Sequence, residues 1–116
     1  MNRYIKNIEH EKTVKLTDLI SISPGQVVSR TLSQNRAVSV TLFAFDKGEE
    51  IGTHDSEGDA MVTVLEGTGR FTVGGVPHTV KEGETLVMPA GIPHSVYGEE
   101  PFKWILTVVF PAGFQE

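Results

Sequence analysis

Residues 83–94 read GETLVMPAGIPH. The apolar run Thr85 to Met88 has the composition of a short strand. It enters a turn of Pro89, Ala90, Gly91, Ile92 and Pro93, which delivers His94 at the head of a second strand-like stretch, Ser95-Val96-Tyr97. The prolines stiffen the approach, and Gly91 offers a backbone angle closed to other residues. A turn of this kind aims the imidazole that follows it. His54, in GEEIGTHDSEGDA, also stands between a turn and a strand. Two imidazoles placed alike invite a common site.

Working outward, 12 glycines and 6 prolines punctuate segments rich in Val, Thr, Phe and Ile, a pattern of strands rather than helices. Val38, Val40, Leu42 and Ala44 interleave with Ser39, Thr41, Phe43 and Phe45 as a half-buried strand requires. Ala60, Val62 and Val64 alternate with Met61, Thr63 and Leu65. Phe71 and Val73 lead into Gly74-Gly75, a dipeptide suited to a tight hairpin turn, and residues 76–80 return. Phe102, Trp104, Leu106, Val108 and Phe110 form the bulky face of a last long strand, with Lys103 and Thr107 opposite. The spacing predicts an all-β sandwich or barrel. Before residue 38 lies a segment with one strand-like stretch, ISISPGQVVSRTLS, and a stretch, TDLI, that reads as one helical turn or an irregular bend. The reading is therefore one domain, with residues 1–37 packing on a barrel of residues 38–116 or on a dimer partner.

Composition narrows the function classes. A chain of 116 residues, 39% of them apolar, fits one core. The net charge of −5, with the basic residues scattered, argues against nucleic acid or an anionic membrane surface as partner. The absence of cysteine removes disulfides, thiolate catalysis and iron–sulfur ligation. The charged start MNRYIKNIEHEKTVKL lacks the apolar core of a secretory signal, and no run reaches the length of a membrane span. A cytoplasmic location is expected.

The spacing around the two histidines resembles the cupin family. Its first motif, G-x5-H-x-H-x(3,4)-E-x6-G, maps here from Gly48 through His54, Ser56 and Ala60 to Gly67. Its second, G-x5-P-x-G-x2-H-x3-N, maps from Gly83 through Pro89, Gly91 and His94 to Gly98. The resemblance covers residues 38 to 110 and implies a double-stranded β-helix, the jelly-roll or cupin barrel, with its site in the mouth. It also implies a homodimer, the N-terminal segment adding or covering a strand at a sheet edge.

The departures from the motif carry the functional question. Metal-binding cupins supply three histidines and a glutamate to a divalent ion. Here Ser56 holds the second histidine position, Ala60 the glutamate position (or Met61 with the longer spacer) and Gly98 the terminal asparagine. Only His54 and His94 remain. A metal such as Zn, Fe, Ni or Mn would need further ligands: His78 from a neighbouring strand, an acidic loop residue (Asp55, Glu57 or Asp59), or a bound small molecule. Because Ala60 faces inward, alternation turns Asp59 outward, and its use would need a bulge.

The alternative is a protein without metal, in which His54, Ser56 and His94 line a binding pocket. Two readings follow: a small-molecule-binding protein with a reduced two-histidine site, or a metal-dependent isomerase or dioxygenase with a completed shell. Beside them stand plainer assignments. Ser56 also suits a turn, Trp104 the core, His10 a solvated terminus, the acidic loop a solvated rim, and the glycines of GTGRFTVGG ordinary turns.

Overall fold

The computed structural model describes residues 4–111. Nine strands follow a short 3-10 turn at Leu16–Leu19: β1 Val27–Gln34, β2 Val38–Phe45, β3 Glu50–His54, β4 Asp59–Glu66, β5 Thr68–Val73, β6 Val76–Lys81, β7 Thr85–Met88, β8 His94–Gly98 and β9 Phe102–Val109. All pairings are antiparallel. They make a five-stranded sheet, β1-β2-β9-β4-β7, and a four-stranded sheet, β3-β8-β5-β6. The chain crosses repeatedly between the two sheets, as the jelly-roll architecture requires.

The inward residues of both sheets meet in one core. Phe45, Val62, Val64, Phe71, Phe102 and Trp104 are all buried within it. Trp104 lies nearly parallel to Phe43, with ring centroids 4.6 Å apart, and meets Phe71 edge-on at 5.1 Å. Its indole N–H is buried without a hydrogen-bond partner among the described residues. Dense aromatic packing holds Trp104 in the core and also makes it part of a cavity wall.

Part of the larger sheet is buried on its second face as well. Leu42 and Ala44, on the side of β2 opposite Phe43 and Phe45, pack with Ile20 and Leu32 under a cover that includes Ile8, Leu16 and Leu19. The alternation in β2 therefore separates two apolar layers rather than core from solvent. The N-terminal segment supplies that cover, and β1 pairs with β2 in the same chain.

Polar side chains tie the cover down. Arg30 of β1 donates to the carbonyls of Asn7 at 2.8 Å and Leu19 at 2.6 Å, and Lys103 of β9 donates to that of Thr17 at 2.7 Å. Asp46, after β2, accepts from the backbone N–H groups of Gly25 and Lys47. These bonds stabilise its carboxylate and lower its pKa. No helix among the described residues is long and apolar enough to cross a membrane.

Candidate functional site

His54 ends β3 and His94 begins β8, and the two are direct cross-strand partners. Regular pairing continued from Ile51 and Val96 would set Thr53 opposite His94. The register instead shifts between Ile51 and His54. One extra residue in β3, a β-bulge, brings His54 round to its partner. The ring centroids are 4.4 Å apart, with planes at 68°. His54 is exposed, whereas His94 is only 4% exposed.

Each ring is oriented by its own strand. His54 Nδ1 lies 2.9 Å from the carbonyl of Gly52, and His94 Nδ1 lies 3.2 Å from that of Ile92. A carbonyl can only accept, so in the neutral rings Nδ1 carries the proton and Nε2 keeps its lone pair. Burial lowers the pKa of His94. The Ile92 carbonyl opposes this shift, His54 adds to it, and Asp55 opposes it. His94 is thereby biased towards the neutral form, with Nε2 as an acceptor.

The turn before His94 is held from both sides. Asp59 Oδ1 accepts the Ala90 N–H at 2.8 Å, the Ser56 carbonyl accepts the Gly91 N–H at 2.9 Å, and the Pro93 carbonyl accepts the Gly74 N–H at 2.8 Å. Gly91 has φ of +76°, the left-handed angle expected of it. Gly98 has a different reason to be glycine: a Cβ there would lie 2.8 Å from the carbonyl oxygen of Asp46. The backbone approaches too closely for a side chain where the family motif has asparagine.

A cavity of about 280 Å³ lies against the histidine pair. Phe43, Ile51, Met88, Val96, Leu106 and Val108 supply most of its apolar wall, joined by Ala60 and Trp104. His54, Asp55, Ser56 and His94 supply its polar edge, and exposed His54 and Asp55 mark the open end. Of the residues singled out in the sequence, His54, Ser56 and His94 thus share one cavity. Ser56 also makes a turn, its hydroxyl accepting the Gly58 N–H at 3.1 Å.

His78 and Asp59 are not brought to the pair. His78 pairs with Phe71 on β6, two strands from β8 and one side-chain row below His94, which separates them laterally by about 10 Å. Asp59 is exposed, and its carboxylate is engaged with Ala90. The bulge that would have turned it inward lies in β3 instead. Among the described residues no three or more His, Asp or Glu side chains gather as a metal site. Two imidazoles, an alanine and a serine already used in a turn do not fit a resident divalent ion.

In the sequence Asp55 stands at the site only as a candidate metal ligand, and Ile51 carries no mark of the cavity wall. Asp55 was only one of several acidic loop residues, and Ile51 is the lone large apolar residue of a strand whose bulge breaks the alternation. The bulky face of β9 already contained Leu106 and Val108.

Together, the fold and the histidine-edged cavity define a jelly-roll barrel with a small-molecule-sized site between its sheets. The chain belongs to the cupin family: the cupin domain matches residues 41–110. It is similar to a conserved protein of unknown function from Streptococcus pyogenes, at 49% identity and a TM-score of 0.93, covering 95% of this chain and 96% of that one. A cupin superfamily protein from Desulfitobacterium hafniense aligns at 27% identity and a TM-score of 0.88, over 92% and 98% of the two chains. The neighbours also include an enzyme, a salicylate 1,2-dioxygenase from Pseudaminobacter salicylatoxidans. It is 18% identical with a TM-score of 0.66, over 77% of this chain and 27% of that one, and shares the fold alone. No curated protein matches the chain.

Proposed function

We propose that this cupin binds a small organic molecule in the cavity beneath His54 and His94, using the protein's own imidazoles as hydrogen-bonding groups. One observation carries the reading: an apolar cavity is edged by two rings whose Nδ1 atoms are committed to backbone carbonyls and whose Nε2 atoms remain available. An apolar wall with a few convergent polar atoms is the usual make-up of a small-molecule site. The reading places the protein in the cytoplasm and as a homodimer. Met61, Val87 and Val109, exposed neighbours on the outer face of the larger sheet, favour a second copy as partner.

The second reading is a metal-dependent isomerase or dioxygenase. It draws on the same Nε2 pair, an arrangement that metal-ligating histidines share, but the missing donors would have to come from the substrate. A metabolite screen by thermal shift, followed by calorimetry on the hits, separates the two. The binding reading expects ligands that raise the midpoint without added metal and lose affinity in His94→Ala. Hits that bind only when a divalent ion is present would replace it with the second reading.

A further inference from the structure

The cavity's chemistry also limits what can occupy it. Its apolar wall meets an edge made of two imidazoles, a serine and Asp55, and no lysine or arginine among the described residues lines it. His94 is 4% exposed and its hydrogen bond among the described residues is through Nδ1, which leaves its other ring nitrogen as an acceptor without a partner there. The neighbouring Nε2 of His54 is of the same kind, and the Asp55 carboxylate can only accept. The site therefore presents three acceptor groups, one hydroxyl and, among the described residues, no cation.

A carboxylate or phosphate would find one donor, the Ser56 hydroxyl, against three acceptors and a like charge. A single hydroxyl could satisfy only one of the acceptors. An ammonium has three donors and a positive charge, matching the acceptors in number and the carboxylate in sign. The stretch that follows Asp55 adds Glu57 and Asp59, and the chain carries a net charge of −5, so the field at the mouth attracts cations. The volume of about 280 Å³ is close to the small end of ligand pockets and admits a body of about ten non-hydrogen atoms. The stacked Phe43 and Trp104 rings offer that body a flat apolar wall.

Building on the proposed binding function, we propose that the ligand class is a compact primary amine with an aromatic or branched apolar body, its ammonium held by His54, His94 and Asp55. The test uses three probes of nearly equal shape: phenethylamine, phenethyl alcohol and phenylacetate. Each is titrated into the full-length protein by calorimetry and into histidine-labelled protein by NMR.

The amine should bind about tenfold more tightly than the alcohol, as expected for one added charge-assisted hydrogen bond, and phenylacetate should not bind measurably. Asp55→Asn should remove most of that tenfold preference, and His94→Ala should weaken both. Phenylacetate binding as tightly as the amine would overturn the amine assignment while the cavity reading stands, as would the alcohol matching the amine. If none of the three moves the His94 resonances, both the ligand class and the binding role of the cavity fall.

Discussion

Asp59 and Ala90 are joined by a carboxylate-to-backbone hydrogen bond of 2.8 Å that ties the start of β4 to the turn delivering His94. Asp59 thus acts on the site without entering it, through the posture of Pro89 to Pro93. Asp59→Ala should lower stability by about 1 kcal/mol and weaken ligand binding several-fold. Asp59→Asn keeps an acceptor oxygen and should restore most of both. Urea unfolding and calorimetry on the pair of variants would check this. Equal losses in the two would instead mean that the charge itself matters, as it would for a metal ligand.

The pH dependence follows from His94. Its folded pKa is lowered, chiefly by burial, so the unfolded chain binds a proton more readily than the folded one. Stability should be fully present above the ordinary imidazole value of about 6.5 and should fall as the pH drops below it, down to the folded pKa. The urea midpoint of the wild type should decline over this window more steeply than that of His94→Gln. Parallel profiles would show that His94 is not the group responsible.

Much of this arrangement was legible in the sequence. Eight strands were visible: apolar alternation, glycine turns and Pro111 bounded seven, β1 lay within the strand-like ISISPGQVVSRTLS, and the second motif located the His94 turn through Gly91 and its prolines. β3 was not visible as a strand. With Gly52 and Thr53 at its bulge and only Ile51 as a large apolar residue, it carries no alternating pattern, although that same bulge sets His54 opposite His94. The double burial of β2 was also hidden, since Leu42 and Ala44 look alike whether they face a core or a cover supplied from residues 4–32. The positions of His78 and Asp59 depended on strand order and on a hydrogen bond across the fold, neither of which spacing encodes.

Ala60 lies in the cavity wall at 1% exposure, in the position where the family motif carries glutamate. Ala60→Glu should add a carboxylate to the two imidazoles and create a 2-His-1-carboxylate set. The folded variant should take up about one divalent ion per chain and lose affinity for organic ligands, as metal analysis and calorimetry would show. A folded variant without metal would mean that the two Nε2 atoms do not converge with this position.

Trp104 combines large ring contacts with an unpaired indole N–H. Trp104→Ala should cost about 3–5 kcal/mol. Trp104→Phe should cost less than about 2 kcal/mol, because it removes a buried donor whose desolvation is worth about 1–3 kcal/mol. Comparable losses in chemical denaturation would show that the N–H is satisfied in solution.

The exposed apolar neighbours Met61 and Val87 are 45% and 51% exposed. If they seat a second copy, a Met61→Lys, Val87→Lys double variant should run as a monomer in light scattering while the wild type runs as a dimer. A variant that remains dimeric would place the interface elsewhere.

The central claim is that His54 and His94 serve an organic ligand directly rather than a resident metal ion. Metal content by inductively coupled plasma mass spectrometry, on protein purified without an affinity tag or chelator, tests it most directly. The account predicts far less than one transition-metal ion per chain, even after incubation with excess divalent ions. A content near one ion per chain, lost in His94→Ala, would contradict it.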